Sequence, residues 1–389
     1  MHIGIDASRA VSGQRTGTEH YSARLIEALG LIEGAARHRF VLYANAPRDS
    51  SAEAMLGFNL PPNFAWRPIP WRRLWTHMRL SVAMLRYTPD VLFVPSHVVP
   101  LRHPPATVVT IHDVGYLYYP DAHTAASRRY LDWSTRFSTQ AARRVIAISQ
   151  QTADDLVQHY AVPADKIRVI HHGSDPTFHP ITDRQELANM RHRYELPLAR
   201  PYILYVGTLQ PRKNLARLIE AFAAGLAGER FGPQPPMLVL AGKKGWLYDE
   251  LFALVERLGL GTAVHFPGYV RQEDLPTLIS GAEVFALPSL YEGFGLPALE
   301  AMACGTPLIA ARASSLPEVV DDAGLLCDPL DPAAWTEALA ALLNDQSLRT
   351  RYSGAGMARA AQFTWARAAR ATLEVLEEVG PQLYHDRRG

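Results

Sequence analysis

The chain has 389 residues, 48% of them apolar and 20% charged, with a formal net charge of +1; it is too apolar and too nearly neutral for a disordered chain, and long enough for two domains. Two cysteines, Cys304 and Cys327, are too few for a disulfide scaffold or a structural zinc cluster, and no run of about 18 apolar residues exists to span a membrane. Met1-His2-Ile3-Gly4-Ile5-Asp6 reads as a buried first strand rather than a secretory leader, so a cytoplasmic location is expected.

Strands and helical patterns alternate along the chain, which predicts a doubly wound parallel α/β architecture. Strands are expected near 2–6, 39–43, 91–94, 107–111 and 145–148, with helices over 17–29, 72–86, 124–141 and 150–159. A short strand at 168–170 leads into His172-Gly-Ser-Asp-Pro-Thr-Phe-His-Pro180, whose turn-forming composition marks an inter-domain linker. The pattern then restarts, with strands at 202–206, 237–241, 263–266, 283–287 and 307–310 and helices at 214–224, 248–258, 273–279, 297–303, 332–343 and 347–361. A last amphipathic helix, 365–379, places Trp365, Ala369, Leu373, Leu376 and Val379 on one side. Two Rossmann-like domains facing across a cleft are therefore predicted, with ligands beyond the carboxyl ends of the strands. Charge divides unevenly between them. Residues 1–172 carry 19 Lys and Arg against 13 Asp and Glu, whereas the remainder carries 20 against 25. A basic first half predicts an anionic partner on that side.

The most informative segment is Leu287-Pro-Ser-Leu-Tyr-Glu-Gly-Phe-Gly-Leu-Pro-Ala-Leu-Glu300. A buried strand ends in a loop with Gly293 and Gly295, and a helix opens with Pro297, whose missing N–H would be unpaired there anyway. Loop amides and a helix N-terminus suit a phosphate. Glu292 and Glu300 would repel that anion unless they accept hydrogen bonds from sugar hydroxyls. In Leu204-Tyr-Val-Gly-Thr-Leu-Gln-Pro-Arg-Lys-Asn-Leu215, Arg212 and Lys213 can neutralise a diphosphate leaving group, and Asn214 is placed to cap the following helix. Gly17 opens a helix after the first strand, and His112 ends the buried run Val109-Thr-Ile-His-Asp113. Ser315-Leu-Pro-Glu318 has capping-box spacing, and Cys304 sits at a tight helix-to-strand junction where packing explains it. Neither an Asp-x-Asp pair nor a GxxxxGK[ST] phosphate loop occurs.

The segment Tyr-Glu292-Gly-Phe-Gly-Leu-Pro-x-Leu-Glu300-Ala-Met-Ala-Cys-Gly resembles the hallmark of family-4 retaining glycosyltransferases of the GT-B fold. The likeness extends through Gly4-Ile-Asp-Ala-Ser-Arg9, Thr16-Gly-Thr-Glu-His-Tyr, Gly207-Thr-Leu-Gln-Pro-Arg-Lys-Asn, Ala241-Gly-Lys-Lys-Gly-Trp246 and Gly268-Tyr-Val. The Lys213 and Gly-Trp segments are most similar to bacterial mannosyltransferase-like members. The resemblance implies an acceptor-side domain over 1–175, a donor-binding domain over 176–364, and a helix from 365 to 389 that crosses back to the first domain. It implies that Glu300 binds the donor ribose, Glu292 the transferred sugar and Lys213 the diphosphate. Gly293, Phe294 and Gly295 would present amides to sugar and phosphates, Tyr269 and Val270 would edge the base, His112 would lie near the sugar, and Gly17 would match a glycine loop. The glycine matched by Gly207 is followed in many members by Arg, whereas this chain has Thr208, so Arg212 is a candidate to share the diphosphate. The implied partners are a nucleotide-sugar donor, with a lean to GDP-mannose, and a glycan or lipid-linked acceptor, with no metal, no cofactor and no nucleic acid.

The basic half holds one further feature, Trp66-Arg-Pro-Ile-Pro-Trp71-Arg-Arg-Leu-Trp75-Thr-His-Met-Arg79, with three of the seven Trp. Trp71, Arg72, Arg73, Trp75 and Arg79 make a candidate surface for a lipid-linked acceptor or an anionic membrane at the inner face of the plasma membrane. The competing expectation is a helix that buries Leu74, Met78, Val82 and Leu85 on its sheet and leaves a solvated basic face. Other functions remain open at this level: a glycosidase using Glu292 and Glu300, a dehydrogenase, which would lack the glycine fingerprint after its first strand, or a non-catalytic nucleotide-sugar sensor.

Overall fold

Two parallel sheets organise the computed structural model, which describes residues 1–11, 17–71, 73–243, 245 and 249–381. Arg15, Thr16, Arg72 and Trp246, singled out in the sequence, lie outside the described residues. The strands of the first sheet are β1 (His2–Asp6), β2 (Arg39–Ala44), β3 (Phe64–Pro68), β4 (Val91–Val94), β5 (Thr107–Ile111), β6 (Arg144–Ala147) and β7 (Ile167–Val169). The second sheet comprises β8 (Tyr202–Val206), β9 (Met237–Ala241), β10 (Val264–Gly268), β11 (Val284–Leu287), β12 (Leu308–Ala311) and β13 (Leu325–Cys327). Their orders are β3-β2-β1-β4-β5-β6-β7 and β10-β9-β8-β11-β12-β13, parallel throughout. Central strands such as Thr-Val-Val-Thr-Ile and Val-Phe-Ala-Leu are buried at every position. Helices cover both faces of such sheets, so these strands read as continuous apolar runs rather than alternating ones.

Both orders reverse direction once, between β1 and β4 in the first sheet and between β8 and β11 in the second. Loops leaving the two strands at such a point part to opposite faces, and the crevice beyond their carboxyl ends is where doubly wound folds hold ligands.

The chain divides into two compact units, residues 1–173 with the segment from Thr364 onward, and residues 174–363. The helix Trp365–Val379 starts where Thr364 accepts a bond from the Arg367 amide (3.2 Å). It buries Trp365, Ala369, Leu373, Leu376 and Val379 within the first unit, against the helix Gly17–Leu31. Glu377 bonds Arg37 and His38 (2.6 and 2.7 Å), and Glu378 bonds Arg144 and Arg168 (2.6 and 3.0 Å), so four residues of the first sheet's surround fix the helix.

Three elements carry little sequence signal. The edge strand β3 is hidden in a Trp- and Pro-rich stretch, and its closing proline is tolerated because it ends the strand on the sheet edge. Strand β13 has only three residues. The helix Arg184–Arg193 buries Met190 alone and therefore shows no apolar period, although Asp183 caps it through the Glu186 amide (2.9 Å).

The expected helix over 72–86 needs correction. Helical structure begins at Thr76, with a wide π-type turn over Thr76–Leu80 before the α-helix Ser81–Arg86, and Leu74 takes a left-handed φ of 53°. A π turn holds more residues than an α turn and rotates the faces that follow it. The inward residues are Trp75, Leu80, Ala83 and Met84, while Leu74, Met78, Val82 and Leu85 are exposed. Trp75, assigned by the sequence to an outer surface, instead lies in the core and donates its indole N–H to the Ile69 carbonyl (2.7 Å).

Candidate active site

The switch point of the second unit is charged. From β8 the chain passes Gly207 and forms a short 3-10 turn, Pro211–Lys213; from β11 it forms the loop that ends at Gly295. The Leu290 amide bonds the Arg212 carbonyl (2.9 Å), joining the two loops. Lys213 Nζ forms a buried ion pair with Glu292 Oε1. Arg212 Nη1 donates to the Tyr291 carbonyl (2.7 Å) and lies 3.5 Å from Glu292 Oε2. Ser314 and Ser315 hydroxyls both donate to the Glu292 carbonyl (2.7 and 2.9 Å). Two cations thus share one carboxylate at this switch point.

Two local expectations change here. Ser315 precedes the helix Leu316–Val320 but makes no cap bond, because its hydroxyl serves Glu292 instead. Asn214 stands at the N-cap of the helix Leu215–Ala227 in a left-handed conformation, and its amide goes to the Pro329 carbonyl (2.7 Å) rather than to the helix. Pro297 lies in the first turn of the helix Leu296–Ala303, as its chemistry requires. Gly295 before it has φ 97°, and a Cβ there would lie 2.6 Å from Leu316 Cδ2. Cys304 closes this helix, buried, with burial pushing its thiol up to about 12.

The two carboxylates differ in charge. Burial alone would raise Glu292, but Lys213 and Arg212 outweigh it and hold its carboxyl below the usual range, so it is ionised at neutral pH. Glu300 lies on the helix Leu296–Ala303; burial, with the Asp175 charge adding to it, pushes it up to about 7. Asp175 was not foreseen, and no sequence signal marked it, since it lies in the turn that starts the unit and is held by Thr177 (2.8 and 3.0 Å). The Phe294 side chain is buried edge-on to Phe363 (5.8 Å), so only its backbone can face a ligand.

The loops after β8, β9 and β10 are stitched side by side. Gly207 N bonds Ala241 O (2.9 Å), Leu209 N bonds Lys243 O (2.9 Å), and Gly242 N bonds Gly268 O (2.8 Å). A Cβ on Gly242 would come within 1.9 Å of the Gly207 carbonyl, so this approach admits only glycine. Tyr269 is exposed under the Lys243 ammonium (4.8 Å to the ring centre), and Val270 is buried.

In the first unit, His112 follows β5, buried, its ring edge-on to Tyr21 at 4.8 Å. Its Nε2 lies 2.8 Å from the Pro95 carbonyl; a carbonyl only accepts, so Nε2 carries the proton and Nδ1 the lone pair. Burial lowers its pKa, which keeps the ring neutral. His172 and Trp365 complete an aromatic cluster, His172 lying 4.8 Å from Tyr21 and 5.8 Å from Trp365. Gly17 is the first residue of the helix Gly17–Leu31. Trp71 and Arg73 are exposed, and Arg79 lies over the Trp71 ring at 5.1 Å.

Comparison with known proteins decides the family. The profile "Glycosyl transferases group 1" matches residues 188–359 and "Glycosyltransferase Family 4" matches residues 16–178. An O-antigen chain mannosyltransferase B from Escherichia coli is 36% identical over 293 residues, 75% of this chain and 75% of the relative. The chain belongs to glycosyltransferase family 4. A D-inositol 3-phosphate glycosyltransferase from Corynebacterium jeikeium (strain K411) is also similar, 36% identical over 246 residues, 61% of this chain; the chain spans 58% of that relative's length. Sucrose-phosphate synthase from Thermosynechococcus elongatus shares the fold with a TM-score of 0.73 at 24% identity, covering 97% of this chain and 98% of that one. This family 4 glycosyltransferase therefore has the GT-B fold, belongs to a family of retaining hexosyltransferases and transfers sugar from a nucleotide sugar. That sets aside the glycosidase, dehydrogenase and sensor readings.

Proposed function

We propose that the enzyme moves mannose from GDP-mannose to a hydroxyl of a glycan or lipid-linked acceptor, with retention and without a metal. The observation that carries the site assignment is the buried cluster of Lys213, Arg212 and Glu292 at the switch point of the second sheet. Loss of a diphosphate leaves an oxocarbenium-like sugar, and the protein's task is to stabilise charge on the departing oxygens. Lys213 and Arg212, with the amides of the Gly293–Gly295 loop, meet that charge and take the place of a metal ion. Glu292, ionised and held by its own carbonyl bonds, orients the hydroxyls of the transferred sugar. Glu300 accepts the ribose hydroxyls, which replaces the water its buried carboxylate has lost. Gly207 lets the diphosphate approach the backbone, and Tyr269 and Val270 edge the base. His112, neutral and with a lone pair on Nδ1, accepts a sugar hydroxyl, and the helix beginning at Gly17 lies on the acceptor side. Attack from the departing face needs no protein nucleophile. The mannose assignment draws on the E. coli relative's description as a mannosyltransferase. A lipid-linked acceptor places the enzyme at the inner face of the plasma membrane.

The test is a calorimetric panel of GDP, UDP, dTDP and ADP without added metal, on the parent enzyme and Glu300→Ala. Selective GDP binding that is lost in the variant is expected. Selective binding of another nucleotide overturns the donor, and GDP binding that survives Glu300→Ala overturns the site.

A further inference from the structure

The segment 74–86 turns outward the residues whose spacing would place them in a core. Leu74 is 65% exposed, Met78 54%, Val82 40% and Leu85 68%. Val82 and Leu85, three apart, share one side of the α-helix, while Met78 lies in the π turn and Leu74 at the entry to it. The opposite side is anchored, because Trp75, Leu80, Ala83 and Met84 join the core of the first sheet.

The exposed apolar surface widens on both flanks. The Arg102 amide donates to Ser81 Oγ (3.2 Å), which sets exposed Leu101 beside the helix. On the other flank His77 shares a hydrogen bond with the Tyr130 hydroxyl (3.0 Å) and lies 5.5 Å from the Trp133 ring, and both aromatic side chains are exposed. Single exposed leucines are ordinary, but large apolar side chains exposed together on contacting segments mark an interaction surface. Its charge identifies the partner. Arg73, Arg86, Arg102, Arg128, Arg129 and Arg136 are exposed around it. Among residues 69–88, 98–103 and 125–137 the only carboxylate is Asp132, which accepts from the Tyr160 hydroxyl (2.9 Å) and lies 4.0 Å from Arg136.

We propose that this face seats the enzyme on an anionic lipid bilayer. Leu74, Met78, Val82 and Leu85 enter the boundary between headgroups and acyl chains, Tyr130 and Trp133 lie at headgroup level, and the arginines meet lipid phosphates. The assignment moves the contact from Trp75, which is buried, to side chains the sequence pattern had turned inward. It deepens the lipid-linked acceptor reading, since an enzyme held on the bilayer meets such an acceptor in two dimensions.

Flotation with vesicles tests it, using phosphatidylcholine alone and phosphatidylcholine with about one-third phosphatidylglycerol. The parent enzyme should float with the anionic vesicles at low salt and release as salt rises. Replacing Leu74, Met78, Val82 and Leu85 together by Ser should weaken flotation about tenfold or more, with the melting temperature and GDP binding unchanged because all four side chains are exposed. A second variant, Arg86→Glu with Arg102→Glu and Arg129→Glu, should lose the preference for phosphatidylglycerol. Failure of the parent enzyme to float overturns the proposal. So does a parent dimer in light scattering that the Ser variant converts to monomer without any vesicle binding, since the face would then join two copies. GDP binding on the same samples separates the readings: flotation without GDP selectivity defeats the donor assignment alone, and GDP selectivity without flotation defeats the docking surface alone.

Discussion

At the carboxyl ends of β8 and β11 the second unit buries Lys213 against Glu292 with Arg212 beside them, whereas beyond β1, β4 and β5 the first unit buries His112 and His172 against Tyr21 and Trp365. The strand order is the same at both places, three strands on one side of the reversal and the rest on the other. The chemistry is opposite. In the second unit, Lys213 and Arg212 outweigh burial and hold Glu292 ionised. In the first, burial disfavours charge, raising Asp6 and Tyr21 and lowering His112 and His172. A diphosphate requires fixed charge, whereas hydroxyls and sugar rings are met by neutral hydrogen-bonding groups and apolar faces. The proposed division, diphosphate in the second unit and hydroxyls in the first, would let one scaffold serve two recognition tasks by exchanging the loops at a shared position.

The contrast is most open to challenge at Lys213. Lys213→Ala removes the cation proposed for the diphosphate and leaves buried Glu292 with Arg212 alone, at 3.5 Å. Transfer should fall by roughly 10²–10³-fold, and stability by about 3–5 kcal/mol in urea denaturation. Adding Glu292→Gln should return much of the stability and none of the activity. An unchanged urea midpoint in Lys213→Ala would mean that the pair is not what holds the second unit's crevice.

Glu300 offers a finer test, because burial and the Asp175 charge, rather than a cation among the described residues, set its protonation. Burial holds its folded pKa at about 7, above the 4.5 of a solvated glutamate. Between those values the folded protein keeps a proton that the unfolded chain has lost, so this group's contribution falls as pH rises through the window. Glu300→Gln should melt about 2–4 °C above the parent at pH 8 and level with it at pH 5. A lower melting temperature at pH 8 would show that the carboxylate is compensated in the folded enzyme.

The smallest expected effect lies in the first unit. Thr372 Oγ1 on the helix Trp365–Val379 is buried with no hydrogen-bond partner among the described residues. Thr372→Val keeps the shape and removes the unsatisfied hydroxyl, so stability should rise by about 1 kcal/mol. A loss of transfer activity in that variant would assign the hydroxyl to the acceptor side rather than to packing.

How far the sequence could be read depended on the range of the interaction. Most strands were legible because a parallel strand covered on both faces must be apolar throughout, as in Thr-Val-Val-Thr-Ile of β5. Helix termini were legible where a cap is local, as at Thr364, and misleading where the same side chain has a remote use. Ser315 has capping-box spacing yet bonds the carbonyl of Glu292, 23 residues away. Asn214 gives its amide to Pro329, 115 residues away. The stretch 74–86 misled for a different reason, because a π turn changes the angular step on which helical face assignment rests.

The sequence by itself determined the α/β alternation, the Gly293–Gly295 loop with Glu292 and Glu300 spaced around its helix, and the family to which those residues belong. Only the tertiary structure decided that Lys213 pairs with Glu292 across 79 residues of chain, which follows once β8 and β11 become neighbours in one sheet. It also decided that the Asp175 charge lies near Glu300, and that Leu74, Met78, Val82 and Leu85 face outward. Residue type and spacing specify local geometry, but the charge state of a buried group and the exposure of an apolar one depend on the neighbours that folding brings to it.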